Sequence, residues 1–438
     1  MATSDTAVAS RRRRNLKVTP AHRLYGLGVI LLVALIVCSR KFSGQGEAFA
    51  VIPLSIAGVA YLLAVREILR TPKFPKHVIV VGLALAAVWH VAFLAMPTGS
   101  DDDVRRYVWD GRMQRLGYNP YVVVPDDPAF APLQTAETSG MNHPNLPSPY
   151  PPGAELFFRM VMAIHESPFA LRIAFVICEL GIVVVLLDIL RLTGQGTHWI
   201  LAFAWNPLLA TEVAGSGHVD IVGALLLVVS FAALMRRWRG TAAVALALAI
   251  AVKFLPIVLL PLYWRRVRLR DALLATTVFV LLYLPFLNHG RIPIGSLGAY
   301  LRSFRFNDPV FAVFERVAPS QVVAAFAALL GILISIWFRA RNRPVSPDAC
   351  SWPMAASLLF APVVYPWYLL WLLPFVRSIS TLPLIMWTVS IIPTYLVWHF
   401  RAVGRPWVLP GWIVLLEYGS VAIAAAIVVV RRRIRQSG

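Results

Sequence analysis

The chain has 438 residues, 58% of them hydrophobic and 14% charged, with a formal charge of +20. A soluble domain is nearer half apolar and about a quarter charged, so an ordinary soluble protein is excluded. Such a charge on a soluble chain would suit nucleic acid, but here Lys and Arg flank apolar runs, as the cytoplasmic bias for positive charge demands, and no nucleic-acid partner is expected. No Gly-rich phosphate loop points to an ATPase, and Cys38, Cys178 and Cys350 have no metal spacing.

In chain order, residues 1–23 read as a basic cytoplasmic tail. An uncleaved first span covers about 24–39, and a second returns over about 51–66. Arg66, Arg70, Lys73 and Lys76 then lie inside. A third span, about 78–96, exits and puts the polar stretch 97–152 outside. Residues 153–164 are too short to cross and predict a helix lying on the outer surface. Further spans are expected at about 168–190, 198–213 and 219–235.

Residues 241–264 and 350–376 have basic clusters at both ends and prolines near the middle: Pro256 and Pro261, then Pro362 and Pro366. A single crossing would expose one cluster of each pair. Proline breaks helices, so both read as hairpins of two short helices entered and left from the cytoplasmic side. Structural or lipid-contact roles are expected for Lys253 and for Tyr365-Pro366-Trp367-Tyr368 within them. Spans at about 271–287, 319–338, 380–399 and 411–430 precede a basic tail at 431–438. Glu179 and Glu417 are expected to be paired inside the bundle. The fold class is therefore all-α: a single transmembrane helical bundle over 24–430, with about ten full spans, two cytoplasmic-side hairpins and an outer loop carrying a surface helix. It belongs in the plasma (inner) membrane with both termini cytoplasmic, in contact with membrane lipids.

The outer loop holds the densest chemistry. Asp101, Asp102 and Asp103 sit where the chain leaves the membrane, ahead of Arg105, Arg106, Tyr107, Asp110 and Arg112. Acids are also common at helix N-termini for dipole reasons alone. The functional reading is a carboxylate general base beside arginines whose forked donors suit an anion. Gly117-Tyr118-Asn119-Pro120-Tyr121 marks a turn. His143 and Tyr150 precede the surface helix. His218 and Asp220 in the second outer loop form either a satisfied loop pair or half a metal site; a divalent metal is not otherwise indicated, and no cofactor is expected. His289, Arg302, Arg305 and Asn307 occupy the third outer loop, and basic residues outside run against the bias and hint at an anionic ligand.

Asp103-Val104-Arg105-Arg106-Tyr107 with Trp109-Asp110-Gly111-Arg112 resembles the first-loop motif of bacterial GT-C glycosyltransferases. The group it is most similar to is the polyprenol-phosphate-mannose-dependent, alpha-1,6-mannosyltransferase-like enzymes of the actinobacterial envelope. Gly117–Tyr121, Tyr150-Pro151-Pro152, Asn206-Pro207 before His218-Val219-Asp220, and Phe306-Asn307-Asp308 fit the same group. The resemblance implies an outer-face, inverting hexosyltransferase. It would take a sugar, mannose by analogy, from a polyprenyl-phosphate donor and pass it to a lipid or glycan acceptor. It also implies Asp103 as the base, with Asp102 as the alternative register. Arg105 stands where relatives often carry an aromatic, which leaves the sugar open. The competing class is a secondary transporter or lipid flippase, which also uses broken helices, but no second copy of the acid-rich loop marks repeated halves. A non-catalytic envelope assembly factor is a third class, and the clustered acids and arginines count against it.

Overall fold

The computed structural model describes residues 19–44, 47–97, 103–288, 292–341 and 345–437. Helices dominate them, because a backbone in lipid must satisfy its own hydrogen bonds. Helices α1 (Pro20–Gly44) and α2 (Glu47–Arg70) pack as an antiparallel pair, and α3 (Lys76–Leu94) returns beside α1. Then come α4 (Asp103–Arg115), α5 (Pro152–Ile164), α6 (Pro168–Leu192) and α7 (Ile200–Ala204). A π-helical turn at Leu209–Ser216 leads to α8 (Asp220–Met235) and α9 (Arg239–Val252). The rest are α10 (Leu260–Tyr263), α11 (Leu269–Tyr283), α12 (Leu297–Ser303), α13 (Pro309–Glu315), α14 (Ser320–Arg341), α15 (Pro347–Leu359), α16 (Leu382–Ser390), α17 (Leu396–Ala402) and α18 (Gly411–Ser437).

Among the described residues, 8 helical segments are long and apolar enough to cross a bilayer. They coincide with eight of the ten expected spans. The other two differ. Residues 219–235 form the 16-residue helix α8, short for a crossing but buried on nearly every side at the centre of the bundle. Residues 198–213 are not one helix. Pro207 has no N–H to continue α7, and the Asn206 side chain instead caps Leu208 N at 3.0 Å. The chain resumes as the π turn.

Both hairpins are present. α9 stops at Lys253, whose backbone is extended, and the chain turns back through short helical turns that open at Pro256 and Pro261. Its two feet meet: a Cβ on Gly240 would lie 3.6 Å from Asp271 at the start of α11. In the second hairpin α15 ends at Leu359, and residue Val363 pairs in a parallel bridge with Phe306. A 3-10 turn, Pro366–Trp371, carries the chain back. There the feet are tied by Ser380 Oγ donating to Asp348 at 2.5 Å. The Glu179 carboxylate meets His90 at 3.0 Å, and Glu417 accepts from Trp387 Nε1 at 2.7 Å and from Asn307 at 3.0 Å.

Arg23 of α1 meets Glu67 of α2 at 2.9 Å, and α18 runs away from Glu417, which is bonded beside the α12–α13 loop. Both ends of the described chain therefore lie at one end of the bundle. The loop 103–152 lies at the other. There α5 buries Ala154, Phe158, Val161 and Met162, the apolar stripe of an amphipathic helix, against α4 and the end of α9. Two glycines permit this close approach. A Cβ on Gly111 would sit 2.8 Å from the Phe158 carbonyl, and one on Gly153 would sit 2.7 Å from the Ala251 carbonyl.

Candidate active site

Asp103 is the first residue of α4, where a carboxylate faces the positive end of the helix dipole. Asn142 Nδ2 donates to its Oδ1 at 2.5 Å. His218 Nδ1 lies 3.8 Å from its Oδ2. The carboxylate lines a cavity of about 660 Å³, a size typical of small-ligand sites. Arg106 and Tyr107 of α4 share its wall with His143 and Tyr150 of the loop before α5. Both hairpin tips reach it, with Lys253 and Phe254 from one and Tyr365, Trp367 and Tyr368 from the other. Tyr300, Phe304 and Arg305, then Trp398, Arg401 and Trp407, close the remaining side.

Among the described residues, four cations line this cavity, and three have acid partners. Arg106 Nε donates to Asp110 at 3.0 Å and its Nη1 to the Leu146 carbonyl at 2.9 Å. Lys253 Nζ donates to Asp220 at 2.7 Å and sits 3.8 Å from the Tyr368 ring centroid. Arg305 pairs with Glu315 at 2.5 Å. Arg401 lies 5.6 Å from the Trp407 ring centroid, and among the described residues no carboxylate comes within ion-pair distance of it. Burial, and then Arg401 and Arg106, push the His143 imidazole below its usual value, which keeps it neutral.

Behind α4 lies a buried carboxyl pair. Asp110 and Glu155 are both fully buried. Ser148 Oγ donates to Glu155 at 2.5 Å, and Gln114 Nε2 does so at 2.7 Å. Burial, and then the neighbouring Asp110, push Glu155 well above the usual carboxylate range. Burial raises Asp110 too, and the Arg106 guanidinium opposes that rise.

Several expected site residues turn out to be scaffolding. Asp110 faces Arg106 and Glu155 rather than the cavity, because its helical position points it at α5. Arg105 Nη1 donates to the carbonyls of Ala136 and Ser139 and ties down the loop. Arg112 pairs with Glu166, and its Nε donates to the Leu133 carbonyl at 3.1 Å. Asn119 donates to the Phe286 carbonyl at 2.9 Å, and Tyr121 OH donates to the Tyr150 carbonyl at 2.6 Å. Asn307 is buried on Glu417. Arg302 is exposed and lies off the cavity wall. His218 and Asp220 do not form half a metal site. His218 turns to Asp103 and Glu212, while Asp220 accepts from Lys253 and Trp371 Nε1. Asp102 and His289 lie outside the described residues.

The hairpin tips are the main correction. Lys253, Tyr365, Trp367 and Tyr368 line the cavity instead of facing lipid, because each hairpin runs the depth of the bundle before it turns. A signal was present for Lys253, since any ionisable residue inside an apolar run is a site candidate. Arg401, set between Trp398 and Trp407, carried the same signal as Arg302 and Arg305.

Residues 29–267 match the family described as alpha-(1->6)-mannopyranosyltransferase, N-terminal domain. No curated protein and no solved structure matches the chain. The matched stretch takes in α4, the loop up to α5, the His218 segment and the first hairpin, and spans more than half of the 438 residues. This polytopic chain therefore belongs to the alpha-(1->6)-mannopyranosyltransferase family and is a mannosyltransferase.

Proposed function

We propose that the protein moves mannose from a polyprenyl-phosphate donor to a hydroxyl of an envelope glycolipid or glycan on the outer face of the plasma membrane, with inversion, in a GT-C-type bundle. Asp103 is the general base. One observation carries the reading: the Asp103 carboxylate opens onto a cavity that also holds a cation, Arg401, with no acid partner among the described residues. A phosphosugar needs both groups. The base takes the acceptor proton as the sugar carbon is attacked. The cation answers the charge that grows on the departing phosphate. Arginine does this well because its planar fork gives two parallel charge-assisted bonds. The aromatic walls supply the mostly apolar lining, with few polar groups, that ligand sites favour. Arg106 and Lys253 already neutralise Asp110 and Asp220, so they position the cavity more than they bind the donor.

The direct test incubates purified protein with a panel of polyprenyl-phosphate sugars and mannosylated lipid acceptors. A new mannoside detected by mass spectrometry is expected. No transfer from any polyprenyl-phosphate sugar would remove this donor class.

The phosphate assignment makes a sharper prediction. A charge-assisted hydrogen bond is worth about 1.5–3 kcal/mol, so Arg401→Ala should raise the apparent donor KM roughly ten- to hundredfold. Arg302→Ala, off the cavity wall, should leave it within about twofold. Steady-state kinetics with varied donor decides the matter, and equal effects would take Arg401 out of the site.

Orientation has its own test. The two ends of the described chain share the basic end of the bundle, and that end belongs in the cytoplasm by the positive-inside bias. A reporter fused after Gly438 should read cytoplasmic, and one inserted near Thr135 external. Both on one side would overturn the arrangement.

A further inference from the structure

His218 is fully buried and yet held between two acids. Its Nε2 lies 3.1 Å from Glu212 Oε2, and its Nδ1 lies 3.8 Å from Asp103 Oδ2. Its ring lies flat on Trp367, with centroids 3.9 Å apart and planes 9° apart. The backbone is equally constrained. Glu212 belongs to the π turn, a form of helix often found at functional sites. His218 N donates to the Glu212 carbonyl at 2.9 Å. Gly217 between them adopts φ +83°, and a Cβ there would meet Arg172 at 2.8 Å. Arg172 in turn donates to the carbonyls of Ala214 at 2.8 Å and Met96 at 2.9 Å, which pins the turn to α3 and α6. A carboxylate, an imidazole and a second carboxylate thus run inward from the cavity wall on a rigid frame.

We infer that His218 is a positioning residue that receives the acceptor's proton from Asp103, with Glu212 orienting its ring. This rests on the reading of Asp103 as the base. The distances fit the sequence of events. At 3.1 Å the Glu212 carboxylate stands as an ion-pair partner beside Nε2, and Nδ1 is the ring nitrogen on the Asp103 side. At 3.8 Å, Nδ1 and Oδ2 share no proton, since that separation is too long for a hydrogen bond. During transfer the acceptor oxygen forms its bond to the sugar carbon and its O–H bond breaks. The bond from sugar to phosphate breaks, and its electron pair stays on the phosphate. The proton passes to Asp103 Oδ2, which then has a hydrogen to donate to Nδ1. Once it crosses, the imidazolium is balanced by Glu212 and Asp103 is again an anion. The proton leaves with the departing phosphate or to water at the cavity. The other charged groups around His218 are already engaged: Arg172 on backbone carbonyls, and Asp220 on Lys253.

The test uses the full-length enzyme with a synthetic polyprenyl-phosphate mannose and octyl mannoside as acceptor. Turnover is followed from pH 5 to 8.5 for the parent, His218→Gln and Glu212→Gln. Gln at 218 keeps a polar group beside Glu212 but cannot accept a proton. Loss of a proton acceptor from a general-base path should lower kcat roughly a hundredfold at neutral pH. Donor KM should stay within about twofold, and the acid limb set by the imidazole should vanish. In Glu212→Gln the limb should persist and move to lower pH, because the imidazolium loses its neighbouring anion. A His218→Gln enzyme with the parent's pH profile, whether its kcat is kept or lost, would make His218 a packing residue only. If His218→Gln does not fold, an unmoved limb in Glu212→Gln overturns the relay by itself. Asp103→Asn, measured alongside, tests the base separately. Full activity there refutes the base, whereas normal His218 and Glu212 variants with a dead Asp103→Asn refute the relay alone.

Discussion

Asp103→Asn is expected to abolish mannosyl transfer while the protein still inserts and folds. The loss should be about a thousandfold or more, within the range that positioned general bases contribute. Asn keeps the shape, and Asn142 still finds an oxygen to bond, so α4 keeps its start. What disappears is the capacity to accept the acceptor's proton. The check is turnover with a fixed donor and acceptor, next to a thermal melt in detergent that should match the parent. Asp101→Asn should keep most activity. Near-normal turnover by Asp103→Asn would move the base to Asp102.

The second large effect falls on stability. Arg106 and Asp110 form an ion pair with side chains 3% and 0% exposed. Removing one partner of a buried pair leaves an unanswered charge and costs about 3–5 kcal/mol. Arg106→Ala should therefore lower the melting temperature sharply and loosen the loop, since the bond to the Leu146 carbonyl goes as well. The pair itself is weak evidence for net stability, because desolvation offsets much of its attraction. The double variant Arg106→Leu with Asp110→Asn should recover much of the loss. A melting temperature for Arg106→Ala equal to the parent's would mean that Asp110 is not charged in the fold. A double-mutant cycle apportions the two effects.

The two carboxyl systems of α4 explain why one helix carries both function and scaffold. Asp103 and Asp110 are seven residues apart, which suggests one face. The first sits at the open N-terminus beside the cavity, and the second beneath α5. Spacing alone places them together. Only the crossing of α5, allowed by Gly111 and Gly153, decides that one meets the cavity and the other a buried Glu155.

The bundle was legible in the sequence because its causes are local. An apolar run of about 20 residues has few alternatives to a helix in lipid, and paired basic clusters around central prolines dictate a re-entrant hairpin. The first-loop motif placed Asp103 at the head of α4 for the same reason. The cavity's far wall was not legible. Lys253, Trp367 and Arg401 are separated from Asp103 by hundreds of residues or by several helices. Nothing in their neighbours states how deep a hairpin runs before it turns. That depth is set by packing: α8 is short and buried on nearly every side, so the hairpins beside it end where it ends, and their tips reach the cavity there. The arginines of the loops show the converse. Arg105, Arg112 and Arg302 carry the same charge as Arg401, but a side chain's reach to a carbonyl, an acid or open solvent is fixed only once the chain has folded around it.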